Sequence, residues 1–235
     1  MAGGKGTRLR PYTNILPKPL LPIGTKSILE INIKQLVNSG IDNIILSVGY
    51  LGGLIETVIG DGDKYGIKII YSYEDDPLGT VGGLSLIKNL LEEQFIVMNG
   101  DILHDLDFNN LFNDHIISKT EVTITTFLQQ HKVRLGVLEL KGKSIIKYIE
   151  KPTKEYLVSI GMYILNKNIV DFYVKNKEYL DFPTLINILI ENKMKINSYL
   201  HDGLWIDIGT TEEYLNLIEN LEEIIKDNPL VPISS

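Results

Sequence analysis

The 235-residue chain contains no cysteine. Disulfides, thiol nucleophiles and thiolate metal sites are therefore excluded. Tryptophan occurs once. Positive charge is not in excess: 23 Lys and Arg against 30 Asp and Glu leave a net charge of −7. That balance argues against an extended nucleic-acid or anionic-membrane surface, while still permitting a local basic pocket. A long apolar run is also missing. The most apolar stretch, around Asn43–Ile55, is interrupted by Gly49, Gly52 and Gly53 and is too short to span a bilayer. The amino end shows no basic, apolar, then small-residue pattern, so a cytoplasmic location is expected. Hydrophobic content of 44% and charged content of 23% are ordinary for a globular chain able to bury one sizeable core.

What is present is concentrated at the amino end. Residues 3–19 read Gly-Gly-Lys-Gly-Thr-Arg-Leu-Arg-Pro-Tyr-Thr-Asn-Ile-Leu-Pro-Lys-Pro. Gly3, Gly4 and Gly6 leave backbone N–H groups uncovered and permit the positive φ angles of an anion-binding nest. Arg8, Arg10 and Lys18 follow, offering guanidinium forks and a compact ammonium for phosphate oxygens, and Pro11, Pro17 and Pro19 stiffen the segment. The chemistry suggested is triphosphate binding. Neither common nucleotide motif fits: Gly6 is followed by Thr7-Arg8 rather than Lys-Ser/Thr, and Leu9 stands where a dinucleotide fold needs its third glycine.

Helix and strand signals alternate through the first half. Ser27–Asn38 carries a helical apolar stripe behind a Ser27 cap with Glu30 three residues on, and Gly40 ends it. Strands are expected at Ile44–Val48, Ile67–Tyr73 and Phe95–Met98, with helices at Leu51–Ile59 and Thr80–Leu91. The second half is more β-rich. Strands are expected at Val122–Leu128, Arg134–Leu140, Ser144–Glu150, Ser159–Leu165 and Ile196–Leu200. Helices are expected at Asn168–Val174, Phe182–Glu191 and Thr211–Ile225. This alternation predicts an α/β fold with helices on both faces of a parallel sheet, whose ligands sit beyond the carboxyl ends of the strands.

Further motifs fall on that rim. Pro77-Leu78-Gly79-Thr80-Val81-Gly82-Gly83 occupies a strand-to-helix turn, where packed glycines let a flat base approach the backbone and Thr80 can cap the helix. Asp101 of Asn99-Gly100-Asp101 follows a buried strand, a place suited to holding Mg²⁺. His104, Asp105 and Asp107 form a tempting cluster for metal-dependent hydrolysis, but Mg²⁺ rarely takes histidine. Asp105 and Asp107 are instead expected to cap and solvate the next helix. Trp205-Ile206-Asp207-Ile208-Gly209-Thr210 places Trp205 and Asp207 on one face of an extended segment.

The composite Gly3–Pro11 followed by Pro17-Lys18-Pro19 resembles the signature of the sugar-1-phosphate nucleotidyltransferases. The resemblance extends over about residues 2–222, with the later motifs in the right order. It implies a Rossmann-like three-layer sandwich with a mixed, mostly parallel central sheet and a smaller β-rich sugar-binding part in the second half. A single domain is expected over 1–226, its NTP-binding part about 1–110 and its sugar-binding part about 111–226, with a loose tail at 227–235. By the resemblance, Gly3, Gly4, Gly6 and Thr7 bind the nucleotide phosphates, and Glu74, Gly79 and Thr80 belong to the nucleobase loop. Arg8, Lys18, Asp101 and Asp207 are the catalytic group, and Asp101 and Asp207 together hold Mg²⁺. Gly136, Glu150, Lys151, Gly161 and Trp205 contact the sugar phosphate. Gly136 and Gly161, read alone, mark strand bulges equally well.

The segment around Glu74–Thr80 most resembles the mannose-1-phosphate guanylyltransferase-like branch, since thymidylyltransferases usually carry Gln where Glu74 stands. GTP is the favoured NTP, with CTP open, and the product an NDP-sugar for surface glycans. The resemblance also admits a homo-oligomer and a further amino-terminal domain. In this fold a strand ordinarily leads into the glycine loop, and only Met1-Ala2 precedes Gly3, so an open seam in the sheet is expected. A catalytically silent, nucleotide-sugar-binding regulatory relative is the alternative. It would be expected to lose a phosphate or metal side chain, and Arg8, Lys18, Asp101 and Asp207 are all retained.

Overall fold

A computed structural model describes residues 1–227, so the expected tail lies, from residue 228, outside the described residues. The strands of the central sheet are β1 (Asn43–Val48), β2 (Lys68–Tyr73), β3 (Gln94–Met98), β4 (Val122–Lys132), β5 (Thr153–Asn166) and β6 (Ile196–His201). β1 and β2 pair in parallel from Asn43 opposite Lys68 to Val48 opposite Tyr73. The other four follow the order β6-β4-β5-β3, with β6 parallel to β4 and β5 antiparallel to both its neighbours.

Met1 and Ala2 join the two halves at the rim. Ala2 bridges in parallel to Val48, and its N–H donates to the Ser47 carbonyl at 2.7 Å. Met1 N donates to the Met98 carbonyl at 2.7 Å, and the Met1 carbonyl accepts the Gly100 N–H at 2.8 Å. These bonds run in the parallel sense, so every strand of the mixed sheet except β5 points the same way. The expected open seam is thus bridged at its carboxyl-end rim. Elsewhere no strand among the described residues pairs with both β1 and β3.

Both faces of the sheet are covered, as alternate residues of β5 demonstrate. Ile160, Met162 and Ile164 enter one apolar cluster with Ile33, Val48, Ile55 and Phe108. Tyr163 and Leu165 enter another with Val97, Val170, Phe182 and Leu185. This period of two is what a strand buried on both sides requires. Each such side chain contributes about 1.5–3 kcal/mol on burial. Tyr163 stacks on Phe182 with ring centroids 3.6 Å apart, fixing helix Phe182–Glu191 to its face.

Helix α1 (Ile28–Asn38) starts at a complete capping box. The Ser27 hydroxyl accepts the Glu30 N–H at 3.3 Å, and the Glu30 carboxylate accepts the Ser27 N–H at 3.0 Å. Its Leu29 and Ile33 join the cluster under the sheet, while Ile28 and Ile31 join a third cluster with Leu9, Leu21, Leu103 and Ile208. α1 therefore ties the glycine-loop region to the sheet. Among the described residues no helix is long and apolar enough to cross a membrane.

Several expectations need correction. Thr80–Leu91 is not one helix: Gly79–Gly82 is a single α-turn, followed by 3-10 turns at Gly83–Leu86 and Lys88–Leu90. The Val81 and Gly82 N–H groups both donate to the Leu180 carbonyl, and Ile87 leaves helical geometry at φ −121°, ψ 13°. The terminal helix divides at Asn220 into Thr211–Glu219 and Leu221–Asp227. β4 and β5 extend beyond the expected strands as a paired arm, Thr153 opposite Lys132. A separate hairpin, Val137–Lys141 with Ser144–Ile149, follows β4. Residues 130–132 and 153–157 of that arm are exposed in succession, so no buried face imposes the alternation that marks a half-buried strand.

Candidate active site

Beyond Ala2 the chain leaves the sheet as the glycine loop. Gly6 adopts φ 56°, ψ 36°, and a Cβ there would stand 2.9 Å from the Thr13 Cγ2. Only glycine satisfies both the left-handed backbone and that close approach. The Gly6 carbonyl accepts the Thr13 hydroxyl at 2.7 Å and the Leu9 N–H at 2.9 Å, opening the short turn Thr7–Leu9. Leu9 is fully buried and anchors the turn, leaving Thr7 and Arg8 exposed. A second short turn, Lys18–Leu20, buries Pro19 and Leu20 and directs Lys18 inward. Together these turns enclose a cavity of about 260 Å³ lined by Gly4, Gly6, Thr7, Arg8, Lys18 and Asp101, among others.

Asp207 reaches this site on a three-residue ribbon. Strand Ile102–His104 begins directly after Asp101 and pairs antiparallel with Trp205–Asp207, placing Asp207 opposite Ile102. The Lys18 Nζ then lies 2.6 Å from Asp101 Oδ2 and 3.3 Å from Asp207 Oδ1. Lysine is seldom buried unless paired, and here it is 8% exposed between two carboxylates. Two anions against one cation leave the cluster net negative, so a further cation is electrostatically favoured.

The donor set suits a hard cation. Asp101 and Asp207 offer carboxylate oxygens, and among the described residues no group of three or more His, Cys, Asp or Glu side chains forms a metal cage. One or two carboxylates completed by phosphate oxygens and water is the arrangement Mg²⁺ prefers. Arg8 completes this edge: a Cβ on Gly209 would meet its guanidinium nitrogens at 3.4 and 3.5 Å, which sets Arg8 against the segment following Asp207.

The remaining expected site residues lie elsewhere on the rim. The Glu74 carboxylate accepts the Ser47 hydroxyl at 2.6 Å and the Leu78 N–H at 3.0 Å, and so braces the turn that follows it. Gly79 and Gly82 pack against the Leu180 and Glu178 carbonyls. Thr80 does not cap its own helix; its Oγ1 accepts the Phe182 N–H at 2.9 Å. Gly161, at φ 76°, sits at a register shift between Ser159 and Tyr163, and its carbonyl accepts the Asn99 N–H at 2.9 Å. It therefore stands beside the Asn99–Asp101 motif. Trp205 packs against Phe127, ring centroids 5.5 Å apart.

Gly136, Glu150 and Lys151 are not among the residues lining the cavity. Gly136 lies against the Tyr148 hydroxyl, which donates to Glu150 at 3.0 Å. Lys151 Nζ is 3.7 Å from Glu150 Oε1 at the exposed end of the hairpin.

The histidine and aspartates after Asp101 take separate roles. His104 is fully buried, its Nδ1 accepting the Leu106 N–H at 3.2 Å. Burial, with His201 nearby, pushes its pKa down to about 3, so the imidazole is neutral. Asp107 caps helix Phe108–Ser118 through the Asn109 and Asn110 N–H groups, as expected. Asp105 does not: its Oδ1 accepts the Leu204 N–H at 2.7 Å and stands 3.2 Å from His201 Nε2. The contacts of Glu74 with Ser47, Gly79 with Leu180 and Asp105 with Leu204 escape a reading of the sequence because the segments meeting there are apart in the chain.

A family described as nucleotidyl transferase matches residues 1–224. The mannose-1-phosphate guanyltransferase of Yarrowia lipolytica is 33% identical over 246 aligned positions, covering 100% of this chain and 67% of the relative. That of Saccharomyces cerevisiae is 31% identical, covering 92% of this chain and 62% of the relative. The chain therefore spans about two thirds of the length of these curated relatives. Among solved structures, HddC from Yersinia pseudotuberculosis complexed with GMP-PN is similar, with a TM-score of 0.71 and 26% identity over 94% of this chain and 96% of that one.

Proposed function

The chain belongs to the nucleotidyl transferase family, and from that premise we propose that it transfers a nucleoside monophosphate from an NTP to a sugar 1-phosphate, releasing pyrophosphate. The observation that carries the reading is the meeting of Lys18, Asp101 and Asp207 at the edge of the glycine loop. A cavity lined by one ammonium, a guanidinium and the Asp101 carboxylate, with the Asp207 carboxylate 3.3 Å from that ammonium, suits a reaction between two phosphates.

In this account an oxygen of the sugar phosphate attacks the α-phosphorus of the NTP. The bond from the α-phosphorus to the bridging oxygen breaks, and pyrophosphate leaves on the opposite side. Attacker and target are both anions, so the protein's work is alignment and charge neutralisation. Lys18 lies across the α-phosphate and the attacking phosphate, and Arg8 receives the charge growing on the pyrophosphate. The backbone N–H groups of Gly3, Gly4 and Gly6, with Thr7, cradle the β- and γ-phosphates. Asp101 and Asp207 would hold Mg²⁺, which would supply charge neutralisation to the reaction. No general base is required, because a phosphate monoester with a second pKa of about 6 is already ionised at neutral pH.

The NTP part extends over about residues 1–110 and the sugar part over about 111–226. Glu74 shapes the base-reading turn through Ser47 and Leu78, and Gly79 and Thr80 present backbone to the base. Gly136, Glu150, Lys151, Gly161 and Trp205 are assigned to the sugar phosphate. GTP is favoured: the relatives named above are guanyltransferases, and HddC was solved with GMP-PN. The acceptor is then mannose 1-phosphate or a related amino-sugar or heptose 1-phosphate, used in the cytoplasm for surface glycans.

The test is pyrophosphate release with Mg²⁺, crossing ATP, GTP, CTP, UTP and dTTP against a panel of sugar 1-phosphates. Release that needs both substrates, and is fastest with GTP, is expected. Release from NTP alone, or none from a folded protein with any pair, overturns the reading.

A further inference from the structure

Asp207 arrives at the site on a ribbon of only three residues, paired Trp205 to His104, Ile206 to Leu103 and Asp207 to Ile102. So short a pairing holds its register weakly, and a slip of one residue turns every side chain to the other face. Such a slip would withdraw Asp207 from Lys18 and Asp101. Something must therefore pin the far end of the ribbon.

Asp105 meets that need. Its Oδ1 accepts the Leu204 N–H at 2.7 Å, and its own N–H donates to the Leu204 carbonyl at 3.3 Å. His201 Nε2 stands 3.2 Å from the same Oδ1 and 3.0 Å from the Leu204 carbonyl. The residue before Trp205 is thus held at both backbone groups. The Asp105 and His201 side chains are 17% and 8% exposed, so water competes little for these bonds. The turn is also shaped to admit the carboxylate. A Cβ on Gly203 would stand 2.2 Å from Asp105 Oδ1 and 2.8 Å from His201 Cε1. Neither Asp105, His201 nor Gly203 lines the cavity.

We infer that Asp105, with His201 and Gly203, is a positioning residue that clamps the Leu204 turn and so sets Asp207 opposite Asp101 for the reaction proposed above. The inference rests on that reading for the role of Asp207. The ribbon carries a carboxylate at the site end of each strand, Asp101 just before one strand and Asp207 ending the other. Asp105 closes the ribbon's opposite end, acting on the metal-competent pair through backbone alone.

The experiment compares Asp105→Ala, Asp105→Asn and Gly203→Ala with Asp107→Ala, whose residue caps helix Phe108–Ser118 and touches neither the ribbon nor the cavity. Two quantities are read on the whole chain: Mn²⁺ affinity by electron paramagnetic resonance, and kcat and KM for the NTP. Outer-shell partners of a metal site typically cost about ten- to hundredfold on removal. Asp105→Ala and Gly203→Ala are expected to lose that factor in Mn²⁺ affinity and in kcat, with KM for the NTP little changed. Asp105→Asn keeps an acceptor for the Leu204 N–H and is expected to recover most of both. Asp107→Ala is expected to lose melting temperature only. If Asp105→Ala does not fold, the contrast between Asp105→Asn and Gly203→Ala decides the question. Asp105→Ala and Gly203→Ala variants that bind Mn²⁺ as the wild type does overturn the clamp. A wild type that binds Mn²⁺ without any turnover overturns the proposed reaction instead, and leaves the affinity comparison to judge the clamp.

Discussion

The Lys18 ammonium meets the Asp101 carboxylate at 2.6 Å, and the same nitrogen stands 3.3 Å from Asp207. One buried cation thus gathers two carboxylates that the chain separates by more than a hundred positions. Lys18 comes from the segment after the glycine loop, Asp101 from the turn between β3 and strand Ile102–His104, and Asp207 from a ribbon strand in the second half. The site exists only where these three elements converge, and its charge is arranged for a phosphate-rich ligand.

Lys18→Ala and Asp101→Asn are each expected to reduce turnover about a hundredfold or more, since one preorganised charged contact typically supplies about 2–4 kcal/mol of transition-state stabilisation. Circular dichroism should show the native fold in both. Steady-state pyrophosphate release checks the prediction, and near-normal kcat in either variant would refute the assigned roles.

Gly6 and Gly4 should separate fold from binding. Gly6→Ala forces a Cβ onto a backbone at φ 56° and against the Thr13 methyl. A left-handed conformation costs a non-glycine residue about 1–2 kcal/mol, so that loss is expected in urea unfolding, with a raised KM for the NTP. A Cβ on Gly4 meets nothing within 4 Å of it. Gly4→Ala should therefore keep wild-type stability and raise KM alone. Equal stability of the two variants would contradict this account of the loop.

Much of this architecture is legible in the sequence because it depends on local chemistry. The Ser27–Glu30 box announces α1, and the run Ile44–Val48 announces a buried strand. The anion-binding loop is visible in Gly3, Gly4 and Gly6 before Arg8 and Lys18. What the chain does not disclose is where distant segments meet. Gly79–Gly82 looks like the start of a long helix, yet its N–H groups turn to the Leu180 carbonyl. Asp105 looks like a cap beside Asp107, yet its carboxylate is claimed by Leu204 and His201. The pairing of Asp101 with Asp207 is suggested only by family resemblance, because no periodicity links the two positions.

His104 gives the fold a dependence on acid. The folded imidazole stays neutral down to about 3, because burial and then His201 oppose its charge, whereas the unfolded side chain takes a proton below about 6.5. The unfolded state therefore binds more protons between those values, and the stability contributed is complete above 6.5 and lost as pH falls. Between about pH 7.5 and pH 5 this one group accounts for about 2 kcal/mol of lost stability. His104→Asn retains an acceptor for the Leu106 N–H and should show a pH dependence shallower by that amount in urea unfolding. An unchanged slope would show that His104 is not the titrating group.

The most direct test of the central claim follows the phosphorus. GTP labelled at the α-position, and separately at the γ-position, is incubated with a sugar 1-phosphate and Mg²⁺, and the products are separated. If the sugar phosphate attacks the α-phosphorus, the α-label appears in the NDP-sugar and the γ-label in pyrophosphate, in equal amounts. Label in free GMP or inorganic phosphate, or a γ-label carried to the sugar, would contradict it.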